Sequence, residues 1–410
     1  MSEWKKEKLG DYVEVLSGFA FKSKDFTSEG VPVIKIKNIS PPNVSLEDLS
    51  YVPMTIVTQN PRYILSRGDV LIAMTGSHIN QIASVVGRVG RIRYDVLSVL
   101  NQRVGKIVNK DDKKSSLDFV YYYLSQYEVK VELAQKAGGA ANQANISPKD
   151  IKDLMFPCPP VETQHRIATI LSRYDSLIEN YQKQIKLLEE AAQRLYKEWF
   201  IDLHFPGHEN TKIVDGVPEG WEKKSIGEIG TVITGKTPST SNKENYGGSI
   251  PFITIPDMHT GIYPVSSVFL SEKGAESQSK KYIPQGALIV SCIGTAGLVC
   301  ITKERCQTNQ QINSLILDDK EMLHYMYFVF LSLKEHLNNI GSNGATMTNV
   351  NKSKFEGIDI VVPSSCIIRD FSQRTTPYFE NILSLQSQIR LLTEARDRFL
   401  PKLMSGEITV

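Results

Sequence analysis

Apolar residues recur at alternating steps of four and three along a stretch in the middle of the chain. The positions are Ile167, Leu171, Tyr174, Ile178, Tyr181, Ile185, Leu188, Ala192, Leu195 and Trp199. A 4-3 repeat averages 3.5 residues per turn and is typical of a coiled-coil seam. Pro159 and Pro160 precede the stretch, and Pro206 and Gly207 follow it. The pattern therefore predicts a long central helix within 159–205.

The same pattern returns 204 residues later, with eight of ten positions apolar. The positions are Phe371, Thr375, Tyr378, Ile382, Leu385, Ile389, Leu392, Arg396, Phe399 and Leu403. We predict a second long helix over 364–410. Because neither stripe can be buried by its own helix, the two are expected to pair as an antiparallel coiled coil. The alternative is that each helix packs on its own globular neighbour.

The rest of the chain contains an internal repeat. WKKEKLGDYVEVLSG starts at Trp4 and WEKKSIGEIGTVITG starts at Trp221, an offset of 217. Further on, RGDVLIAMTG (67–76) resembles QGALIVSCIG (285–294), and LNQRVGKIV (100–108) resembles TNQQINSLI (308–316). At GGAANQANIS (138–147) and SNGATMTNVN (342–351) the offset has fallen to 204, so the first copy carries 13 extra loop residues. Two copies with a period near 200 indicate a duplicated domain.

Each copy combines strand and helix patterns. Short β-branched runs between Gly and Pro residues predict strands at 31–36, 70–74, 83–89 and 103–108. The apolar stretches 119–135 and 322–340 each predict one helix. The fold class is therefore α+β, with globular domains over 1–158 and 206–363 that are separated by the two long helices.

Composition narrows the class of protein. The chain is 41% apolar and 22% charged, as in soluble globular proteins, and no apolar run approaches the roughly 18 residues of a membrane span. The N-terminal residues lack the apolar stretch of a signal peptide. The five cysteines form no CxxC pair, which favours reduced thiols in a cytoplasmic protein over a metal site.

Basic residues are concentrated in one part of the first copy. The net charge is only +2, but residues 62–114 hold ten Lys and Arg against four Asp. Such an excess is compatible with contacts to nucleic-acid phosphates. A solvated basic face is the open alternative.

The sequence matches three catalytic motifs only in part. Residues 230–237 fit G-x-x-x-x-G-K-[ST], but Pro238 and a polar loop follow where a phosphate-binding helix should begin. Residues 40–43 read Ser-Pro-Pro-Asn and lack the aromatic residue that would stack on a flipped adenine. The E-x-K string at 222–224 follows Gly and Pro residues expected to break its strand, and His204 and His208 lie in a Pro-Gly turn. We expect no catalytic and no metal site.

The duplicated plan resembles the specificity subunit of type I restriction-modification systems. The resemblance covers essentially the whole chain. Its marks are the opening Trp-x-x-x-x-[Leu/Ile]-Gly with a Ser/Thr-Gly about seven residues on, the strand Gly68-Asp-Val-Leu-Ile72, and a Pro-x-Pro-Pro-x-Glu-x-Gln string at 157–164. The second copy departs from the last mark, with Val362-Pro-Ser-Ser-Cys-Ile-Ile368.

This resemblance implies a non-catalytic DNA-reading subunit. Each globular domain would be a target recognition domain for one half of an asymmetric bipartite site in double-stranded DNA. The helices would set the spacer and dock two methyltransferase subunits. Those partners would use S-adenosylmethionine to methylate adenine N6, and two restriction-translocase subunits would use ATP and Mg²⁺. No cofactor and no membrane contact are implied for this chain.

Polar loop residues with hydrogen-bond donors and acceptors are the candidate DNA contacts. In the first domain they are Lys22, Lys35, Asn38, Ser77, His78, Asn80, Gln81, Gln102, Arg103, Asn142 and Gln143. In the second they are Lys236, Thr237, Ser239, Asn245, Tyr246, Asp257, His259, Thr295, Gln310, Gln311 and Thr346. Arg, Asn and Gln would read bases and Lys would anchor phosphates. The main alternative function is a coiled-coil adaptor whose globular domains bind protein.

Overall fold

The computed structural model describes residues 4–77, 86–138, 144–342 and 349–410, which form two compact units. The first unit comprises Met1–Leu177 and Leu392–Val410, and the second comprises Ile178–Leu391. Each unit therefore contains one globular domain and a part of both long helices.

The first globular domain is made of short strands and short helices. Its strands are β1 (Lys6–Lys8), β2 (Val13–Ser17), β3 (Val31–Ile34), β4 (Ile39–Ser40), β5 (Asn43–Val44), β6 (Ser50–Val52), β7 (Ile64–Leu65), β8 (Val70–Ala73), β9 (Thr75–Gly76), β10 (Val89–Arg91), β11 (Ser98–Leu100), β12 (Val104–Asn109), β13 (Ala144–Asn145) and β14 (Met155–Pro157). Its helices are α1 (Met54–Gln59), α2 (Leu117–Ser125), α3 (Tyr127–Lys136) and α4 (Pro148–Lys152).

Two sheets organise this domain. The larger has the order β2-β12-β8-β10-β5-β4, and the smaller has the order β6-β3-β11-β7. Strand β12 is antiparallel to both β2 and β8, with Lys106 opposite Leu16 and Leu71. Every residue of β8 is buried, because apolar side chains cover both faces of this central strand.

The first long helix, α5 (Val161–Tyr196), has 36 residues and continues into a π-helical turn, Lys197–Ile201. The second globular domain follows. Its strands are β15 (Ile213–Val214), β16 (Val217–Pro218), β17 (Glu222–Ser225), β18 (Gly230–Thr234), β19 (Tyr246–Ile253), β20 (Val268–Leu270), β21 (Leu288–Ser291), β22 (Val299–Ile301), β23 (Gln307–Thr308), β24 (Ile312–Leu317) and β25 (Asp359–Val362). Its helices are α6 (Glu272–Glu276), α7 (Leu323–Ser332), α8 (Lys334–Ser342) and α9 (Lys352–Glu356), and the second long helix, α10 (Ser365–Ser405), ends the chain with 41 residues.

The sheets of the second domain repeat those of the first. The order β18-β24-β21-β22 matches β2-β12-β8-β10, and β20-β19-β23 matches β6-β3-β11. The pair β17 and β25 matches β1 and β14. The prediction of two homologous α+β domains is confirmed.

Several element bounds differ from the prediction. The helix predicted over 119–135 is two helices, because Gln126 has an extended backbone (φ −66°, ψ 142°). The helix predicted over 322–340 is likewise divided at Leu333. The strand predicted over 83–89 begins only at Val89, after a turn at Gly87 with φ +74°; residues 83–85 lie outside the described residues. The expectation of a broken strand at 222–224 was wrong, because β17 covers these residues.

The apolar stripe of the central helix is shielded from solvent along its length. All ten positions from Ile167 to Trp199 are buried or half-buried. In the C-terminal helix nine of the ten are, and Phe399 is the exception, with 39% of its surface exposed. The 4-3 pattern thus identified the inward-facing side of each helix.

In the first unit, the beginning of α5 packs with the end of α10. Ile167, Leu171 and Leu403 share one core with the globular domain. The polar seam position Arg396 donates to the carboxylate of Asp175 (2.8 Å), which also accepts from the Tyr122 hydroxyl (2.7 Å). The charged residue of the stripe, Arg396, is therefore neutralised by an ion pair with Asp175 on the other long helix.

In the second unit, the end of α5 packs with the beginning of α10. The rings of Trp199 and Phe371 lie 5.8 Å apart. The polar seam position Thr375 is buried, with its hydroxyl oxygen 2.9 Å from Nδ1 of His324. Both exceptions to the apolar stripe thus have buried polar partners. Seam residues near the helix ends contact both the other helix and the globular domain. Pairing of the two helices and packing of each helix on its globular neighbour are therefore not exclusive.

Candidate nucleic-acid interface

Three loop segments of the first unit meet at one end of its larger sheet. They are 18–22 after β2, 74–77, which follows β8 and contains the two-residue strand β9, and the turn 101–103 between β11 and β12; together we call them the first loop cluster. The amide of Gln102 donates to the Phe19 carbonyl (2.9 Å), and the amide of Met74 donates to the Arg103 carbonyl (2.9 Å). These bonds tie the turn that carries the exposed side chains of Gln102 and Arg103 to loop 18–22 and to the start of segment 74–77.

A close backbone approach explains the glycine at the start of the first loop cluster. A Cβ on Gly18 would lie 2.3 Å from the Asn101 carbonyl oxygen. Any other residue would force the two segments apart, since packed backbone cannot yield by that amount. The glycine of the repeated Ser/Thr-Gly is thus a structural requirement of the cluster.

The second unit builds the same arrangement from 235–239, 292–295 and 309–311, which we call the second loop cluster. The amide of Lys236 donates to the Thr308 carbonyl (3.0 Å), and the amide of Cys292 donates to the Gln311 carbonyl (2.8 Å). A Cβ on Gly235 would lie 2.1 Å from the Asn309 carbonyl oxygen. The backbone framework is therefore duplicated together with the domain.

The two clusters present different side chains on this shared framework. Gln102 and Arg103 occupy the turn in the first cluster, and Gln310 and Gln311 occupy it in the second. In the second cluster the Thr237 hydroxyl donates to the amide oxygen of Gln310. Two equivalent scaffolds with different exposed donors and acceptors can recognise two different ligands of the same kind.

Residues from both units match the model of a known protein family. The family model described as the type I restriction modification DNA specificity domain matches residues 1–190 and 218–370, which covers both units. The chain belongs to this family.

Individual relatives support the assignment over the full length. The chain is 34% identical to the HindI specificity subunit of Haemophilus influenzae, over 67% of this chain and 73% of that protein. It is 27% identical to the MjaIX specificity subunit of Methanocaldococcus jannaschii, over 100% of this chain and 94% of that protein. The crystal structure of a type I restriction-modification S subunit from M. genitalium superposes with a TM-score of 0.61 at 17% identity, covering 98% of this chain and 96% of that one, and so shows a shared fold.

Three of the predicted contact residues are buried in the specificity domains, and their expected exposure was wrong. Asn38 is 1% exposed, accepts from the Lys35 amide (3.0 Å) and donates to the Glu47 carbonyl (2.9 Å). Asp257 is 3% exposed and accepts from the amides of Thr254 (2.8 Å) and Ser267 (2.9 Å). Asn245 is 6% exposed. Asn and Asp favour loops because they bond nearby backbone, and here that local role occupies the side chain.

Two more of the predicted residues are held by their own domain. The ammonium group of Lys35 donates to Ser50 (2.8 Å) and lies 4.1 Å from the centre of the Phe26 ring. Burial lowers the pKa of Lys35. The Tyr246 hydroxyl donates to the Pro238 carbonyl (2.7 Å). Neither side chain extends freely into solvent.

The remaining described candidates are on the surface or half-buried. Lys22, Gln102, Arg103, Lys236, Ser239, His259, Thr295 and Gln310 are exposed, and Ser77, Thr237 and Gln311 are half-buried. All of these except His259 belong to the two loop clusters, namely Lys22, Ser77, Gln102, Arg103, Lys236, Thr237, Ser239, Thr295, Gln310 and Gln311. His78, Asn80, Gln81, Asn142, Gln143 and Thr346 lie outside the described residues. Asn101 and Asn309, the aligned Asn of LNQ and TNQ, also lie in the turns of the two clusters, but Asn309 is buried and its amide donates to Gln311 (3.1 Å).

The basic excess of residues 62–114 is partly neutralised within the first domain. Lys106 pairs with Asp69 (2.7 Å), Arg67 pairs with Asp95 (3.1 Å), and Arg91 pairs with Asp118 (2.7 Å). Arg91 is also buried against the Tyr121 ring. The regional charge therefore overstates the number of cations available to phosphates.

The phosphate-loop motif at 230–237 does not have the geometry of a nucleotide site. Strand β18 ends at Thr234, and the amide of Gly235 donates to the Ile312 carbonyl (3.0 Å). In that motif the loop amides must be free for phosphate oxygens. Within the described residues, no three His, Cys, Asp or Glu side chains cluster as a metal site would require. No helix among them has the length and apolarity to cross a bilayer.

Proposed function

We propose that this chain is the DNA specificity subunit of a type I restriction-modification complex, in which each loop cluster reads one half of an asymmetric bipartite site. One observation carries the proposal: the same hydrogen-bonded framework occurs twice and bears different exposed donors and acceptors. Bases are read by such groups in the major groove, and glutamine and arginine pair with adenine and guanine edges.

The long helices are proposed to form an antiparallel coiled coil that sets the spacer between the half-sites. The pairing is supported in each unit, where the beginning of one helix contacts the end of the other. Helices of 36 and 41 residues are about 54 and 61 Å long at 1.5 Å per residue. One turn of DNA is about 34 Å, so helices of this length are compatible with half-sites more than one turn apart.

The chain is proposed to act without catalysis of its own. Family membership suggests that two methyltransferase subunits supply S-adenosylmethionine-dependent methylation of adenine N6. Two restriction-translocase subunits would add ATP- and Mg²⁺-dependent cleavage of unmodified DNA. The protein-binding adaptor is not favoured, because the matching family model describes a DNA specificity domain over both units.

A matched pair of substitutions tests the reading of two half-sites. Gln102 and Gln310 are the same residue type at equivalent, exposed positions. The chain and its methyltransferase partner are expressed in cells, and the methylated motif is read by methylome sequencing. We expect a bipartite motif with an unread spacer. Gln102→Ala should relax one half and Gln310→Ala the other, each by about 1–3 kcal/mol at one base pair. A single contiguous motif, or no motif, would contradict the proposal.

A further inference from the structure

The loop 235–239 of the second unit is held from beneath by three side chains that lie elsewhere in the sequence. The Gln278 amide donates to the Lys236 carbonyl (2.8 Å). The Tyr246 hydroxyl donates to the Pro238 carbonyl (2.7 Å), and the Asn245 amide donates to the Ser239 carbonyl (3.0 Å). Three of the five carbonyls of this loop are therefore bound by side chains.

Two of these donors, Gln278 and Asn245, are buried in the domain, and each is 6% exposed. The Gln278 amide also donates to the amide oxygen of Gln307 (2.7 Å), and Gln307, which is 0% exposed, donates to the Ala275 carbonyl (3.0 Å). Buried amides in a connected set hold one geometry, because breaking any bond leaves a polar group unsatisfied in the interior.

The pinned backbone determines where the exposed side chains point. The amide of Lys236 donates to the Thr308 carbonyl (3.0 Å) while its carbonyl accepts from Gln278. The backbone amide and the backbone carbonyl of Lys236 are thus both bound. Neither of the two peptide groups that flank this residue can rotate without losing a hydrogen bond. The exposed side chain of Lys236 and the hydrogen-bonded pair Thr237–Gln310 therefore start from a backbone whose position is fixed.

We infer that Gln278, Tyr246 and Asn245 are positioning residues that set the base specificity of the second loop cluster without touching DNA. The inference rests on the proposed function and goes beyond it. Specific readout requires base-contacting groups placed to within about half an ångström, whereas phosphate attraction tolerates looser placement. Loss of a pin should therefore weaken discrimination between sequences more than it weakens affinity for DNA as such.

The test uses the full chain assembled with its methyltransferase partner subunits. We call the half of the motif that Gln102→Ala relaxes the first half and the half that Gln310→Ala relaxes the second half. Duplexes carry the motif found by methylome sequencing, the motif with its first half substituted, the motif with its second half substituted, or random sequence. The variants are Tyr246→Phe, which removes one hydroxyl, and Gln278→Met, which removes the amide that donates to both Lys236 and Gln307 at similar volume. The control is Tyr123→Phe in the first unit, which removes a hydroxyl that donates to the Met155 carbonyl (3.0 Å), outside both loop clusters.

Tyr246→Phe is expected to lose about fivefold of its discrimination against the substituted second half, the effect of one hydrogen bond, and Gln278→Met should lose more because it breaks two. In both variants, discrimination in the first half and affinity for random DNA should stay near wild type. In the control, discrimination in both halves should stay near wild type. Unchanged second-half discrimination in both variants would overturn the inference, and so would equal losses in both halves. A wild-type complex that discriminates in neither half would instead overturn the proposed function, so the two failures are distinguishable.

Discussion

Loops 18–22 and 235–239 leave equivalent strands through equivalent glycines, yet the two are held by different chemistry. In the second unit, buried amides and a hydroxyl bind the loop carbonyls. In the first unit, the loop inserts its own aromatic side chains: the Phe19 and Phe21 rings lie 4.9 Å apart, and Phe19 lies 5.5 Å from Tyr63.

This difference shows how a duplicated domain can diverge. The backbone framework must keep its glycine and its turn, because the segments approach within a van der Waals distance. The support beneath a loop can differ between the copies, with ring contacts in the first unit and side-chain hydrogen bonds in the second. The sequence around each loop is then free to vary, and with it the ligand that the loop recognises.

The largest expected effect concerns the polar seam position of the first unit. Arg396→Leu would leave Asp175, whose side chain is 5% exposed, as a buried carboxylate with its main counterion gone. Removing one partner of a buried ion pair costs about 3–5 kcal/mol. We expect amide hydrogen exchange, followed by mass spectrometry, to accelerate in peptides of the first unit and to stay unchanged in those of the second.

The double variant Asp175→Leu with Arg396→Leu is the control, because it removes both charges together. It should recover most of the lost stability. If the single and double variants are equally unstable, the ion pair is not the cause.

The next effect tests the shared framework. Gly18→Ala would place a Cβ 2.3 Å from a carbonyl oxygen, and Gly235→Ala would place one at 2.1 Å. Such overpacking should lower the free energy of unfolding by about 3 kcal/mol in either unit. Gly138→Ala is the control, since a Cβ there meets nothing within 4 Å. Tolerance of alanine at only one of the two glycines, measured by denaturant unfolding, would show that the frameworks are not equivalent.

A third prediction separates the units by pH. Burial lowers the pKa of His324 from 6.5 to about 4, so the folded second unit keeps this imidazole neutral while the unfolded chain protonates it. The stabilisation is full above pH 6.5 and is lost as the pH falls toward 4. At pH 5 the loss should be about 2 kcal/mol, at 1.36 kcal/mol per pKa unit.

Hydrogen exchange across this pH range, corrected for the intrinsic rate, should show the loss in the second unit. His324→Gln should flatten the dependence, whereas replacement of the exposed His336 by Gln should leave it unchanged. A slope that persists in His324→Gln would assign the effect to another group.

The smallest effect sharpens the contrast between the two loops. Phe21→Leu keeps an apolar side chain but removes the ring contacts to Phe19 (4.9 Å) and Phe26 (6.1 Å). We expect a loss of about 1 kcal/mol of stability, the value of aromatic pairing beyond buried area. Discrimination in the first half-site should weaken while the second half-site is read normally. A loss confined to the second half would reverse our assignment of loops to half-sites.

Sequence patterns predicted the large features of this protein because those features repeat. The 4-3 stripe located the buried face of both long helices, and the offset copies located equivalent strands such as β8 and β21. Local breaks were harder to predict. The helix predicted over 119–135 divides at Gln126, whose backbone is extended although glutamine is compatible with a helix.

Individual contact residues were the weakest part of the sequence analysis. Asn38, Asn245 and Asp257 were expected at the surface because their residue types are typical of loops. Whether an amide faces solvent or a neighbouring carbonyl depends on which segment lies against it. No pattern near Gln278 indicates that it reaches the carbonyl of Lys236, 42 residues earlier.

The sequence alone determined the periodic and duplicated features, namely two amphipathic helices and two α+β domains built to one plan. Helical periodicity and domain duplication can both be recognised along the chain, without knowledge of distant contacts. Only the tertiary structure decided which glycines allow close approach, which polar side chains are buried and how each loop is supported. Those properties depend on residues brought together from distant positions, and a linear pattern carries no distance between them.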